Sequence, residues 1–295
     1  MENDTRRGGV QLVCPVCGGE LAPEGRSYYC AKRHCFDIAK SGYVNLLPPS
    51  GSGRHGDDRV MVRARTEFLS RGCYEPLARR ICERAAEFCG SGSVIVDAGC
   101  GEGYYSAMAE EASGAELIGI DISKEALIAA SRRSRSMRLV AASTAAIPLP
   151  DGCADAVLNI FSPLFPEEFS RILRPEGRLI RVVPMERHLY ELKELIYDRP
   201  YENPAPEEEL PGFRTVSTEQ VKYTLELHDA ESISQLFMMT PYYYKTSRED
   251  QQKLAEADEL KTAVEFEIIV YEKAEKSEAL RVKSCGGKPA VVLRF

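Results

Sequence analysis

The middle of the chain alternates between two hydrophobic patterns. Short continuous apolar runs, at residues 94–96, 116–122, 138–142, 154–161 and 178–183, read as buried strands. Between them, residues 104–112, 124–135 and 166–173 read as helices, the second opened by Ser123 as an N-cap. Arg174-Pro175-Glu176-Gly177 reads as a tight turn before the fifth strand. Strand, helix, strand in repetition predicts a doubly wound, mostly parallel α/β sheet with helices on both faces. Upstream, residues 57–70 and 74–88 predict lead-in helices, the latter with Leu77, Ile81 and Ala85 about one turn apart. Downstream, residues 186–197 and 231–239 predict helices. Residues 222–228 and 262–273 predict strands, and the Pro- and Glu-rich residues 198–212 a loop. The expected sum is seven strands, with a further strand at 290–295 left without a position.

The pattern turns on residues 94–103, VIVDAGCGEG. A buried strand runs into Asp97 and then Gly99, Gly101 and Gly103. Glycines there let the backbone turn sharply and approach a ligand, with no Cβ in the way. The spacing is G-x-G-x-G, not the dinucleotide pattern G-x-G-x-x-G. Asp97 ahead of the glycines would repel a pyrophosphate but suits the ammonium of S-adenosylmethionine. Asp121 closes the second strand, 20 residues beyond Gly101, where a carboxylate accepts hydrogen bonds from a ribose diol. Ser143 follows the third strand on the adenine side; its plain reading is a turn hydroxyl. Asn159 ends the fourth strand at the carboxyl edge, where ligands bind in open α/β sheets. His188 falls just past a strand end near the same edge; its plain reading is a helix cap. Arg63 and Arg65 are available to phosphates, against a plain reading as a solvated helix face.

Cysteine usage separates the N-terminus from the rest. Six cysteines are scattered and read as reduced thiols, but four crowd into residues 14–35. Cys14-Pro-Val-Cys17, then Cys30 and His34, have the spacing of two metal knuckles. So small a segment has little core, and a structural zinc ion supplies the missing folding energy. The fourth ligand is His34 or its neighbour Cys35, with His34 favoured as part of a Cys₃His set. Four ligands make a closed site that shapes a surface. On that surface Arg26, Tyr28, Tyr29, Lys32 and Arg33 interleave cations with aromatics, as nucleic-acid binders do; the plain reading is tyrosines packing the knuckles. Net charge is −7, yet residues 1–90 hold 14 Lys and Arg against 11 Asp and Glu, so +3 lies there and −10 beyond. Phosphate contacts are therefore expected on the N-terminal part. No apolar run is long enough to span a membrane and the first ten residues lack a signal core, which predicts a cytoplasmic protein. The expected domains are a zinc-binding RNA-recognition domain at 1–50 and a linker with lead-in helices at 51–92. A methyltransferase domain at 93–275 and a tail at 276–295 follow.

Several stretches together resemble one family. CPVCGGEL, YYC, RHCFDIAKSGYVNLLP, ARTEFLSRGCYEPL, DAGCGEGYYS, GIDIS, IFSP and RHLYELKELIY are similar, in order, to the RlmA-type rRNA (guanine-N1)-methyltransferases. The resemblance covers most of residues 12–245. It implies a Rossmann-like class I methyltransferase that uses S-adenosylmethionine and structural zinc. The implied substrate is a guanine N1 in a large-subunit 23S rRNA hairpin, and the implied state is a homodimer. It puts the zinc ligands on Cys14, Cys17, Cys30 and His34. It puts cofactor contacts on Gly101, Glu102, Gly103, Asp121, Tyr74 and His188; Asp97, Gly99, Ser143 and Asn159 join them from the residues alone.

The sulfonium methyl of that cofactor is already activated, so acceleration is expected from in-line positioning. Guanine N1 pairs in a duplex, so the target must be looped out or extruded, and Asn159 is placed to hydrogen-bond it. No general base is assigned. Two other classes compete: a small-molecule methyltransferase with a zinc lid, which would turn over free acceptors, and a non-catalytic RNA-binding protein, which would incorporate no label.

Overall fold

The computed structural model describes residues 9–48, 56–207 and 209–274. The first residues of the linker expected at 51–92, Cys285 and the strand expected at 290–295 lie outside the described residues. The N-terminal module is a four-stranded antiparallel sheet, in order β1 (Leu12–Val13), β2 (Glu20–Glu24), β3 (Ser27–Cys30) and β4 (Cys35–Asp37). Its chain then enters the main sheet. β5 (Val44–Asn45) pairs in parallel with β8 (Arg138–Ala141).

The main sheet is built on the expected runs: β6 (Val94–Ala98), β7 (Glu116–Asp121), β8, β9 (Ala154–Ile160) and β10 (Leu173–Pro184). With β11 (Phe213–Leu227) and β12 (Leu260–Lys273) the order is β11-β12-β10-β9-β6-β7-β8-β5, eight strands among the described residues. The eighth is β5, too short to show in an apolar pattern. Pairing is parallel from β10 through β5, and β12 is antiparallel to both of its neighbours. Sequence order reverses between β6 and β9, so a crevice opens at the carboxyl ends of those two strands.

The helices follow their caps. α1 (Arg59–Ser70) starts at Asp58, whose carboxylate accepts from the N–H groups of Val60 and Met61. α2 (Glu75–Phe88) follows Tyr74, α3 (Tyr104–Ser113) follows Gly103, and α4 (Lys124–Arg133) follows Ser123, whose hydroxyl accepts from Ala126 N–H. α5 (Pro166–Ile172), α6 (Tyr190–Ile196), α7 (Ala230–Met238) and α8 (Arg248–Ala255) complete the set. Among the described residues no helix is long and apolar enough to cross a membrane.

Strand alternation sends Ile95, Leu117 and Leu139 into one core with α1–α4, α6 and α7. Val94, Val96, Ile118 and Val140 enter a second core on the other face. There the cover is α5 together with Leu12, Cys14, Leu21 and Cys30 of the N-terminal module, where a second layer of helices was expected.

Three expectations change. The helix expected from 186 begins only at Tyr190, because Met185 and Leu189 donate their N–H groups to Glu265 and Ala263 of β12. His188 therefore sits in the turn before the helix. The turn at 174–177 is present, but as a bulge inside β10 between the pairs Leu173–Ala154 and Arg178–Ala156. The strand expected at 222–228 reaches back to Phe213, and α8 was not anticipated.

Candidate functional site

The glycine turn stands where β6 ends. Gly99 and Cys100 both donate to Ile120 O of β7, at 2.8 and 3.0 Å. Gly99, Gly101 and Gly103 all have positive φ. A Cβ on Gly103 would lie 2.9 Å from Ala130 Cβ, and one on Gly99 would collide with Ser162. Asp121 organises the next edge. Its Oδ2 accepts from Gly101 N–H at 2.9 Å and its Oδ1 from Ser123 N–H at 2.7 Å, which leaves lone pairs on both oxygens.

Asp97 is 1% exposed. Its Oδ2 accepts from Ser106 Oγ at 2.6 Å, while Oδ1 is buried without a partner. Burial is the main reason its carboxyl is pushed up to about 7, against the Ser106 hydrogen bond. A buried carboxylate oxygen with no donor is costly, and an incoming ammonium satisfies it. These features fit the S-adenosylmethionine expected from the sequence: an acid for the amino group, a backbone cradle without Cβ atoms, and a second acid for the ribose.

Tyr74 and His188 lie together, at 6.2 Å between ring centroids, with Phe266 of β12 between them at 5.1 and 4.4 Å. His188 is buried and its Nδ1 accepts from Glu265 N–H at 3.3 Å, so its proton sits on Nε2. Burial, with Lys193 adding to it, pushes its pKa down to about 3 and keeps the ring neutral. The hydroxyls of Tyr74 and of Tyr105, in the first turn of α3, are buried without partners.

The remaining predicted residues are occupied within the protein. Glu102 is buried and paired with Arg133, whose guanidinium lies 5.1 Å from the Tyr104 ring centre. Ser143 Oγ accepts from Ala145 N–H at 3.2 Å, one residue beyond Ala142, whose N–H bonds to Asp121 O. Asn159 Nδ2 donates to Ser162 Oγ at 2.6 Å, and to the carbonyls of Ser162 and Pro163 at 3.3 and 3.2 Å. Sequence reasoning passed over Tyr105 and Phe266, which nothing in a one-dimensional pattern joins; Phe161 lies in the IFSP stretch that the family resemblance singled out. Arg65, left as a surface cation, pairs with Asp57, and its Nη1 would lie 3.6 Å from a Cβ on Gly101.

The metal centre is separate. Ligand atoms of Cys14, Cys17, Cys30 and His34 lie within 4.8 Å of one another. Cys17 and Cys30 sulfurs are 3.6 Å apart, and His34 Nδ1 is 3.5 and 3.3 Å from the sulfurs of Cys14 and Cys30. A tetrahedron with zinc–sulfur bonds of about 2.3 Å has edges of about 3.8 Å, so the set fits zinc. Each knuckle needs one left-handed residue, Gly18 in the first and Arg33 in the second. Cys35 is exposed on β4 and outside the group, so His34 completes it.

Residues 12–50 match the family described as RlmA, N-terminal, and residues 96–181 the one described as Methyltransferase domain. The chain is 39% identical over 228 residues to the 23S rRNA (guanine(748)-N(1))-methyltransferase of Streptomyces fradiae, covering 74% of this chain and 81% of that protein. It is 31% identical over 271 residues to YxjB of Bacillus subtilis, covering 87% and 95%; YxjB is provisionally named a 23S rRNA (guanine-N(1)-)-methyltransferase. The crystal structure of the YcgJ protein of Bacillus subtilis aligns with 68% of this chain and 99% of its own at 15% identity, TM-score 0.46.

Proposed function

This chain belongs to the 23S rRNA (guanine-N1)-methyltransferase family, and we propose that it transfers the methyl group of S-adenosylmethionine to N1 of a guanine in a 23S rRNA hairpin. The observation that carries the cofactor half is the partnerless Oδ1 of buried Asp97 beside a glycine turn. It favours a cationic amino acid over a pyrophosphate. Asp97, Gly99, Gly101 and Gly103 then hold the methionine end, Asp121 the ribose, and Tyr74 and His188 the wall beside them; Glu102, Ser143 and Asn159 shape the cleft from behind. When bound, the cofactor supplies an activated methyl on sulfonium. The protein's share is to orient the two partners and exclude water, with the guanine N1 proton leaving at or after transfer.

The metal-tied module, packed on the same sheet, supports RNA as the acceptor, with Tyr29 and Arg33 toward it, while Tyr28 packs against the sheet's second core. Arg33 already lies 4.5 Å from the Tyr29 ring centre. The reading includes a cytoplasmic homodimer with 23S rRNA as partner, resting on the family resemblance; sedimentation velocity at micromolar concentration tests the dimer.

Purified protein, labelled S-adenosylmethionine and unmethylated 23S rRNA, set against free guanosine, test the activity. Label in RNA alone is expected. A methyl on N1 blocks base pairing, so reverse transcription should stop beside a single guanine. Label in guanosine, or none in RNA, overturns the reading.

A further inference from the structure

The carboxyl end of β9 carries a conformation that a bulky side chain rarely adopts. Phe161 has φ of 52°, in the left-handed region, and its side chain belongs to a residue 45% exposed. Such strain persists only where the surroundings impose it. Here the surroundings are named. Phe161 N–H is held by Val182 O at 3.3 Å. The next residues are stapled by Asn159 Nδ2, which bonds Ser162 and Pro163, and Ser162 Oγ donates to Ala98 O at the end of β6. That last bond ties this turn to the glycine turn, against the face of Gly99 where no Cβ could stand.

The exposed ring is the open end of a continuous aromatic wall. Its centroid lies 5.1 Å from Phe266 and 6.2 Å from Tyr105; Phe266 in turn packs on His188 and Tyr74. Two members of the wall, Tyr74 and Tyr105, hold partnerless hydroxyls, and Asp97 in β6, bonded to the Ser106 that follows Tyr105, holds a partnerless oxygen. A strained, exposed aromatic is thus fixed at the mouth of the cofactor cleft.

We propose that Phe161 is the ring on which the target guanine stacks during methyl transfer, with Asn159 and Ser162 as positioning residues that hold it at a set distance from the glycine turn. The proposal rests on the reading that the acceptor is a guanine. A purine taken out of its helix loses its stacking neighbours, and an aromatic face replaces them. The tie through Ser162 makes donor turn and acceptor platform one rigid piece, which is what in-line transfer requires.

The test compares Phe161→Ala, Phe161→Leu and Phe161→Tyr in methylation of unmethylated 23S rRNA, with cofactor affinity by calorimetry and melting temperature alongside. Stacking of one base predicts a loss in kcat/KM of at least about tenfold for Phe161→Ala. Cofactor Kd should stay within about twofold and melting should change little. Phe161→Tyr should recover to within about threefold of wild type, and Phe161→Leu, apolar but without a ring face, should not. Undiminished turnover in Phe161→Ala overturns the proposal. So does Phe161→Leu matching Phe161→Tyr, or a loss of cofactor affinity as large as the loss of turnover. A wild-type protein inert on 23S rRNA overturns the functional reading itself, and the stacking site with it.

Discussion

At the residue scale, two buried ionisable groups set opposite pH limits. Asp97 has a folded pKa of about 7, above its ordinary value because of burial. Its contribution to stability is complete below the unfolded value near 4 and is lost as pH rises through 7. Cofactor binding reverses this, since an ammonium beside Oδ1 favours the carboxylate. Binding of S-adenosylmethionine at pH 6 should therefore release close to one proton, and affinity should fall about tenfold per pH unit below 7. Calorimetry in two buffers of different ionisation enthalpy reads the proton directly, and Asp97→Asn should abolish it. A wild-type affinity flat between pH 5.5 and 8 would show that Asp97 does not meet the cofactor's charge. His188 works the other way. Its folded pKa of about 3 lies below the ordinary value, so its contribution is present above 6.5 and is lost as pH falls toward 3. At pH 5 that loss is about 2 kcal/mol. Denaturant titrations of wild type and His188→Gln at pH 7 and 5 should show the acid penalty only in the wild type.

At the element scale, the turn between β6 and α3 is set by one contact more than by its composition. Gly99, at φ of 93°, leaves the place where Ser162 presses in, whereas a Cβ on Gly101 would meet only Arg65 at 3.6 Å. Gly99→Ala should cost on the order of 3 kcal/mol in urea unfolding and weaken the cofactor at least about tenfold, while Gly101→Ala should cost less stability. Equal costs would mean that the Ser162 tie is dispensable. This difference was not legible in G-x-G-x-G, where the glycines look alike. What was legible follows from burial. β6 and β7 lie between two covering layers and so are apolar but for Asp97, Glu116 and Asp121, while Ser123 and Asp58 announce helix starts by their own hydrogen bonds. β11 alternates buried Val221, Leu225 and Leu227 with exposed neighbours only in its second half, and only that half was visible. The wall of Tyr74, Tyr105, Phe161, His188 and Phe266 draws on five separate segments, so it exists only once the sheet has formed.

At the scale of the whole molecule, the zinc module is part of the sheet's second core rather than a tethered attachment. Leu12, Cys14, Leu21 and Cys30 pack with Val44, Leu46, Val140, Ile147 and Leu149. Val13 N–H bonds to Pro148 O at 2.9 Å, Leu46 N–H to Ala141 O at 2.9 Å, and Arg138 reaches Val10 O. Two of the sulfurs that hold the metal thus belong to side chains that also seal the core, so removing zinc should loosen one face of the sheet as well as the module's own exposed surface. The glycine turn lies on the other side of β7 and β8 from that edge, in contact with α3 and α4. Metal-free protein should therefore melt several degrees lower and lose 23S rRNA methylation by more than about tenfold, yet bind S-adenosylmethionine within about threefold of the holoprotein. The ligand set separates this loss from general damage. Cys30→Ser and His34→Ala should purify with less than one zinc per chain and reproduce the metal-free behaviour, whereas Cys35→Ser, exposed on β4, should retain zinc and activity. Metal content by plasma mass spectrometry, read beside the methylation assay, decides it: a Cys35→Ser protein without zinc would replace His34 in the centre, and full RNA activity in metal-free protein would detach the module from substrate recognition.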